Sequence, residues 1–207
     1  MAKNHEEQNV SHFTSIDQFI SSLDQAFEVD PVRRVLLKKL DLQINSSYTK
    51  HSFSKLFYFL AYYLQPAQIS EFGVLGCYSI ISMALGAKDL ELDCSITGYD
   101  LFEDYSYTSF ALSDAIERVN QFGLKNNIQF QKCNALEGNL IENTLLETDL
   151  THIDLSNEGD IYARILSAEF KKDSTIILEG GSIERDTSTW IQEYGAREIA
   201  PTIQNFA

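Results

Sequence analysis

The sequence predicts an α/β fold in which a parallel sheet is covered by helices on both faces. Between Gln68 and Glu179, five short runs rich in β-branched and apolar residues recur. Helix-prone stretches separate them, and strands alternating with helices argue for a parallel, helix-covered sheet. Ahead of Pro66 the apolar residues follow helical spacing only, which adds an N-terminal helical extension. The expected division is a disordered tail over 1–13, a helical region over 14–65 and a sheet core over 66–207.

In chain order, Ser15 reads as an N-cap, with Ile16, Phe19, Ile20 and Leu23 behind it at helical spacing. Asp30-Pro31 is a second helix start, a capping carboxylate followed by proline at the first helical position. Val35, Leu36, Leu40 and Leu42 are its expected apolar side. A third helix should run over about 49–64, with Phe53, Leu56, Phe57, Leu60 and Leu64 on one stripe. Tyr58, Tyr62 and Tyr63 broaden that stripe, so the main domain or another subunit must bury it.

The first strand is Gln68 to Phe72, ending at Gly73, with a helix from Tyr78 to Gly86 behind it. Ser95–Asp100 is the second strand, followed by a helix over about Ser109–Phe122 that Gly123 closes. Ile128–Lys132 is the third, leading to a helix-prone stretch from Ala135. Leu150–Leu155 is the fourth, with a helix over about Gly159–Phe170. Ser174–Glu179 is the fifth, before Gly180-Gly181 and a further helix near Arg185–Tyr194.

Thirty acidic residues against 16 basic ones give a net charge of −14. That field repels phosphates, and no polybasic cluster is present, so nucleic-acid and anionic-membrane partners are not expected. Cys77, Cys94 and Cys133 form no CxxC pair, and the four histidines lack HxxH or HxxxH spacing, which argues against disulfides or structural zinc. The longest apolar run, Leu56 to Leu64, is less than half of the ~20 residues a bilayer span needs. With no signal-peptide pattern at the N-terminus, a cytoplasmic location is expected.

In parallel sheets, ligands bind beyond the carboxyl ends of the strands. After the first strand, Gly73 permits a close backbone approach, Ser79 can offer a hydroxyl and an amide to a carboxylate, and Glu71 can accept from an ammonium group. Together these suit an amino-acid moiety; an ordinary βα turn is the competing reading. Asp100 ends the second strand, where a carboxylate can take both hydroxyls of a ribose, and Phe102 could lie against the base. A solvated Asp beside a core Phe explains the same residues. Asn134 can cap the next helix, help frame a base, or do both. His152 could act as a general base, or be a core histidine. Arg185 is an anion anchor or a surface ion-pair partner, and Trp190 a core or interface aromatic.

These residues, in this order, resemble the class I S-adenosylmethionine-dependent methyltransferases, whose core is Rossmann-like. The small-molecule branch carries the motif E-x-G-x-x-x-G-x-S, which Glu71, Gly73 and Ser79 match. The motif's second glycine falls on Cys77, with Gly76 displaced by one position. Asp100 matches the ribose-binding acid, Asn134-Ala135 the adenine-side turn, and Asp154 the acidic position facing the methionine part or the reacting centre. The resemblance covers roughly 66–195. It implies S-adenosylmethionine as cofactor, a small-molecule hydroxyl or amine as acceptor, and a catalytic role for Asp154, beside which His152 is the candidate general base read from its residue type. In metal-dependent members, acids after the fourth and fifth strands hold a divalent ion such as Mg²⁺. Asp154 and Glu179 would be that pair, but Gly180 replaces the expected Asn and Asn157 the catalytic Lys. A non-catalytic cofactor-binding protein is the alternative. A nucleotide-dependent oxidoreductase is disfavoured because no G-x-G-x-x-G is present.

The family sheet ends in an antiparallel pair, for which 199–207 is too short. A truncated edge, or one completed by a second subunit, is therefore expected, and a twofold dimer with the 53–64 helix at its contact.

Overall fold

The computed structural model describes residues 31–44, 53–106, 110–155, 158–179, 195 and 197–204. The expected tail, the helix begun by Ser15, the cap at Asp30, the start of the third helix near residue 49, and the stretch carrying Arg185 and Trp190 lie outside the described residues.

Five parallel strands form one sheet in the order β3-β2-β1-β4-β5. They are β1 (Gln68–Phe72), β2 (Ser95–Asp100), β3 (Ile128–Lys132), β4 (Leu150–Ile153) and β5 (Thr175–Leu178). The register pairs Glu71 with Gly98 on one side and with His152 on the other. The chain winds outward from β1 through β2 to β3, then crosses back to place β4 against β1. The crevice therefore opens beyond the carboxyl ends of β1 and β4.

Side chains alternate across this sheet and feed two cores. On one face, Ile69, Ile96, Ile128 and Leu150 pack with α1 (Pro31–Gln43), α2 (Ser54–Leu64), α3 (Tyr78–Asp89) and α4 (Leu112–Gln121). On the other, Phe72, Tyr99 and Ile153 pack with α5 (Leu140–Leu145) and α6 (Gly159–Leu166). Helices on both faces are thus as the sequence predicts.

Helix α3 is buried along nearly its whole length because it lies between the sheet and α2. That answers the demand made by α2, whose Phe57, Tyr58, Phe59 and Ala61 are buried within the same chain. Its tyrosines are accommodated by polar partners: the Tyr58 hydroxyl donates to Asp89 at 2.6 Å, and Arg33 of α1 reaches the same carboxylate at 3.0 Å. The Tyr78 hydroxyl donates to Asp41 and accepts from the Ser54 backbone amide at 2.9 Å, tying α1, α2 and α3 together.

Several boundaries and faces differ from the sequence reading. In α1 the inward face is Leu37, Leu40 and Ile44, whereas Val35 and Leu42 are exposed. Both patterns have helical spacing, and only the docking on α3 selects between them. The helix expected from Ala135 begins at Leu140, because the Asn134 side chain accepts the Leu136 amide and folds 134–137 into a turn. Helix α6 stops at Leu166, leaving Phe170 exposed. The C-terminal residues form α7 (Ile199–Gln204), which packs on α6 and fully buries Ile199. Among the described residues β3 and β5 are the outer strands, and the residues of β5 are half-buried.

The α2–α3 contact depends on Gly86. A Cβ there would lie 2.2 Å from the Tyr58 carbonyl oxygen. Gly86→Ala gains up to ~1 kcal/mol of helix propensity but forces two backbones apart. The expected net result is a loss of roughly 1–3 kcal/mol, read as a lower urea midpoint; an unchanged or raised midpoint would contradict this packing.

Candidate functional site

Four strand ends converge on one cavity of about 270 Å³. The loop after β1 contributes Gly73 and Leu75; β2 and its following turn contribute Tyr99, Asp100, Leu101 and Tyr105. The turn after β3 contributes Cys133 to Leu136, and the end of β4 contributes Asp154 and Leu155. The lining is largely apolar, with polar groups at Asp100, Asn134 and Asp154. A more open groove of about 360 Å³ lies against α5, lined mainly by hydroxyls and amides such as Ser70, Thr97, Gln131 and Asn143. It shares only Tyr99 with the cavity and contains none of the predicted site residues.

Gly73 is required by a close approach. Its φ is +84°, and a Cβ would stand 1.9 Å from the Asp154 carbonyl oxygen. Backbone bonds fix this junction, with Gly73 N–H donating to Tyr99 at 2.9 Å and Asp154 N–H donating to Phe72 at 2.8 Å. The Asp100 carboxylate holds the loop itself. One oxygen accepts the amides of Val74 and Leu75 at 2.6 and 2.8 Å, and the other accepts the Phe102 amide at 2.7 Å.

Two loop residues, Leu75 (φ 37°) and Cys77 (φ 62°), adopt the left-handed region. For non-glycine residues this costs ~1–2 kcal/mol each. Cys77 is fully buried, and burial pushes its thiol pKa up. Arg118 of α4 braces the loop by donating to the Gly76 carbonyl at 2.9 Å.

Beneath the loop lies a second polar group that does not line the cavity. Glu71 is fully buried, accepts from the Ser79 hydroxyl at 2.8 Å, and faces His152 Nδ1 at 3.4 Å. Ser79 and His152 are equally enclosed, and the His152 ring packs on Phe57 with centroids 4.8 Å apart. The structure thus separates the predicted residues into two sets. Gly73, Asp100, Asn134, Ala135 and Asp154 come together at the cavity; Glu71, Ser79 and His152 come together below it.

Phe102 belongs to neither set. It is 1% exposed and makes an edge contact with Phe130 in the core, so it does not lie against the cavity. Leu101 takes that place. Strand alternation carries the signal: the residue after the strand-end acid leaves the sheet plane, while the next one turns back into the core. Asn134 folds its own turn and lines the cavity, but it does not cap a helix, since α5 begins only at Leu140.

No family model matches the sequence, and no curated protein is similar to it in sequence. Solved structures do match. Cofactor-bound Rv0187 from MTB is 20% identical, with a TM-score of 0.55 over 84% of this chain and 77% of that one. The SAH-bound Podospora anserina methyltransferase PaMTH1 is 16% identical, with a TM-score of 0.54 over 94% and 86%. The O-methyltransferase TomG from Streptomyces achromogenes, in complex with SAM, is 18% identical, with a TM-score of 0.51 over 95% and 78%.

The chain has the class I methyltransferase fold.

In that fold the cavity occupies the strand-end crevice, and Cys77 stands at the motif's second glycine with the left-handed backbone that glycine adopts freely. Asp154 and Glu179 stand at adjacent strand ends, where the Glu179 amide donates to Ile153 at 3.0 Å. Among the described residues no group of three or more His, Cys, Asp or Glu comes together that could hold a metal.

Burial pushes the Glu71 carboxyl pKa up, against the lowering pull of His152 and Ser79. The folded state therefore holds that proton more tightly than the unfolded chain. Its stabilising contribution is complete below the ordinary Glu pKa and is lost as pH rises through the raised value. Glu71→Gln keeps the shape without the titration, and should flatten this part of the melting temperature against pH. An identical slope in the variant would assign the pH dependence elsewhere.

Proposed function

We propose that the chain binds S-adenosylmethionine at this cavity and transfers its methyl group to a hydroxyl or amine of a small molecule. The observation that carries the reading is the Asp100 carboxylate at the edge of an apolar slot between Leu101 and the Ala135–Leu136 turn. A nucleoside has matching chemistry, a flat apolar base joined to a vicinal diol. Three backbone amides occupy three of the about four acceptor positions of Asp100. One ribose hydroxyl can be taken directly, and a second requires the Leu75 amide to yield. Asn134 and Ala135 frame the base.

The cofactor, when bound, supplies an electrophilic sulfonium methyl. The chain supplies placement, because alignment of nucleophile and methyl accounts for much of the acceleration of such a transfer. Asp154 is the polar group at the β4 side of the cavity and the residue to orient the acceptor or take its proton. His152 is enclosed against Phe57, which favours its core reading over a catalytic one. The neighbours' description as O-methyltransferases supports a hydroxyl acceptor.

A second reading, cofactor binding without turnover, is favoured by one observation. Glu71 and Ser79, the motif's grips on the methionine part, are buried on each other rather than open to the cavity. Calorimetry tests those grips: a site that holds the methionine part should bind S-adenosylmethionine well above adenosine, and a site lacking them would bind both alike. Methyl transfer to a small-molecule acceptor separates the two readings. In the calorimetric assay Asp100→Ala should weaken S-adenosylhomocysteine by roughly 5- to 150-fold, equivalent to ~1–3 kcal/mol. Unchanged affinity in a folded variant would remove Asp100 from the site.

No helix among the described residues is long and apolar enough to cross a membrane. Its three free cysteines suit a reducing, cytoplasmic setting. For association we propose a twofold dimer. The expected contact through the 53–64 helix loses its motive, because Phe57, Tyr58, Phe59 and Ala61 are buried within the chain. The half-buried outer strand β5 and the exposed Val32, Val35 and Leu42 along α1 support the dimer instead. Light scattering at micromolar concentration should then give twice the 23.5 kDa chain mass; the single-chain mass would refute it.

A further inference from the structure

The turn that forms one wall of the cavity, Cys133 to Leu136, is neither strand nor helix, yet it must hold an apolar surface at a fixed separation from Leu101. Asn134 closes the turn from within. From outside, the turn is gripped by a residue that does not line the cavity. Arg164 of α6 donates through Nη1 to the Leu136 carbonyl at 2.8 Å and through Nη2 to the Gly138 carbonyl at 2.5 Å. Its guanidinium is oriented by Glu142 of α5, with Nε to Oε1 at 2.5 Å and Nη2 to Oε2 at 2.8 Å.

We propose that Arg164 is a positioning residue for the cofactor, fixing the base-side wall of the cavity by clamping the Leu136 and Gly138 carbonyls to α6. The inference rests on the cofactor reading above. Its geometry is more specific than stability alone would ask. A single ion pair about 30% exposed on each side adds little to folding, yet four hydrogen bonds from one guanidinium converge here. A planar fork can hold two carbonyls and a carboxylate at once, which an ammonium group cannot do with the same geometry. The clamp also links α6, which follows the β4 end carrying Asp154, to the wall built after β3. The two sides of the cavity are then set relative to each other by one side chain.

The test uses the full chain and two readouts. The first is the alkylation rate of Cys133, which lines the cavity, against that of Cys94 at the opposite strand ends. The second is the affinity for S-adenosylhomocysteine. In Arg164→Gln the Cys133 rate should rise severalfold while Cys94 is unchanged, and affinity should fall by about tenfold. Arg164→Lys should resemble Arg164→Gln, because charge without the fork does not restore the grip. Should Arg164→Gln fail to fold, Glu142→Gln removes the orienting carboxylate and should shift both readouts the same way by less. Equal acceleration of both cysteines would show general loosening and overturn the proposal, as would unchanged Cys133 reactivity and affinity. A selective rise at Cys133 in a chain that never binds S-adenosylhomocysteine would keep the clamp and remove the cofactor reading instead.

Discussion

The organising interaction is the capture of three backbone amides by one carboxylate at the end of β2. Asp100 draws Val74 and Leu75 from the loop after β1 and Phe102 from its own following turn. Charge-assisted bonds of this kind are roughly twice as strong as neutral ones. They hold the loop in a shape that includes two left-handed non-glycine residues, a conformation that would otherwise relax. From that loop follow the position of Gly73 against Asp154 and the entry of α3 behind β1. The same carboxylate lines the cavity, so on the proposed reading holding the loop and binding a ribose would compete for its lone pairs.

The two sheet faces take different parts in this arrangement. The face bearing Ile69, Ile96 and Leu150 is covered by the N-terminal helices, and it also encloses Glu71, Ser79 and His152. A carboxyl group with no access to water is tolerated there because hydrogen-bond partners replace part of its lost hydration. The opposite face, under α5 and α6, carries the support for the cavity. Phe72 and Tyr99 stack with ring centroids 4.8 Å apart below it, and Arg164 reaches across to the β3 turn. One face thus serves mainly the fold, and the other positions the site.

Much of the fold was legible because strand and helix periodicities are local properties. Three strands, β1, β2 and β3, begin and end where their apolar runs and turn residues predict. Faces were less legible. Helix α1 offers two apolar stripes at helical spacing, and nothing local tells Leu37 and Ile44 from Val35 and Leu42. The helix expected after β3 was delayed because Asn134 offers its own side chain to the Leu136 amide, a competition that propensity alone does not weigh. Gly73, Asp100, Asn134, Ala135 and Asp154 line the cavity because each stands at a strand end, a position that the strand runs make legible.

The sequence by itself determined the order of elements, the parallel sheet and the strand-end residues, since these depend on residue type and spacing within a few positions. Only the tertiary structure decided which side each strand-end residue faces. It placed Leu101 at the cavity and Phe102 in the core, enclosed Glu71 with Ser79 and His152, and brought Arg164 onto the carbonyls of the β3 turn. The physical reason is that most of these arrangements join residues 26 to 81 positions apart, through burial and through backbone groups that every residue carries whatever its type. Even the Ser79–Glu71 pair, 8 positions apart, is enclosed only by the helices packed over it.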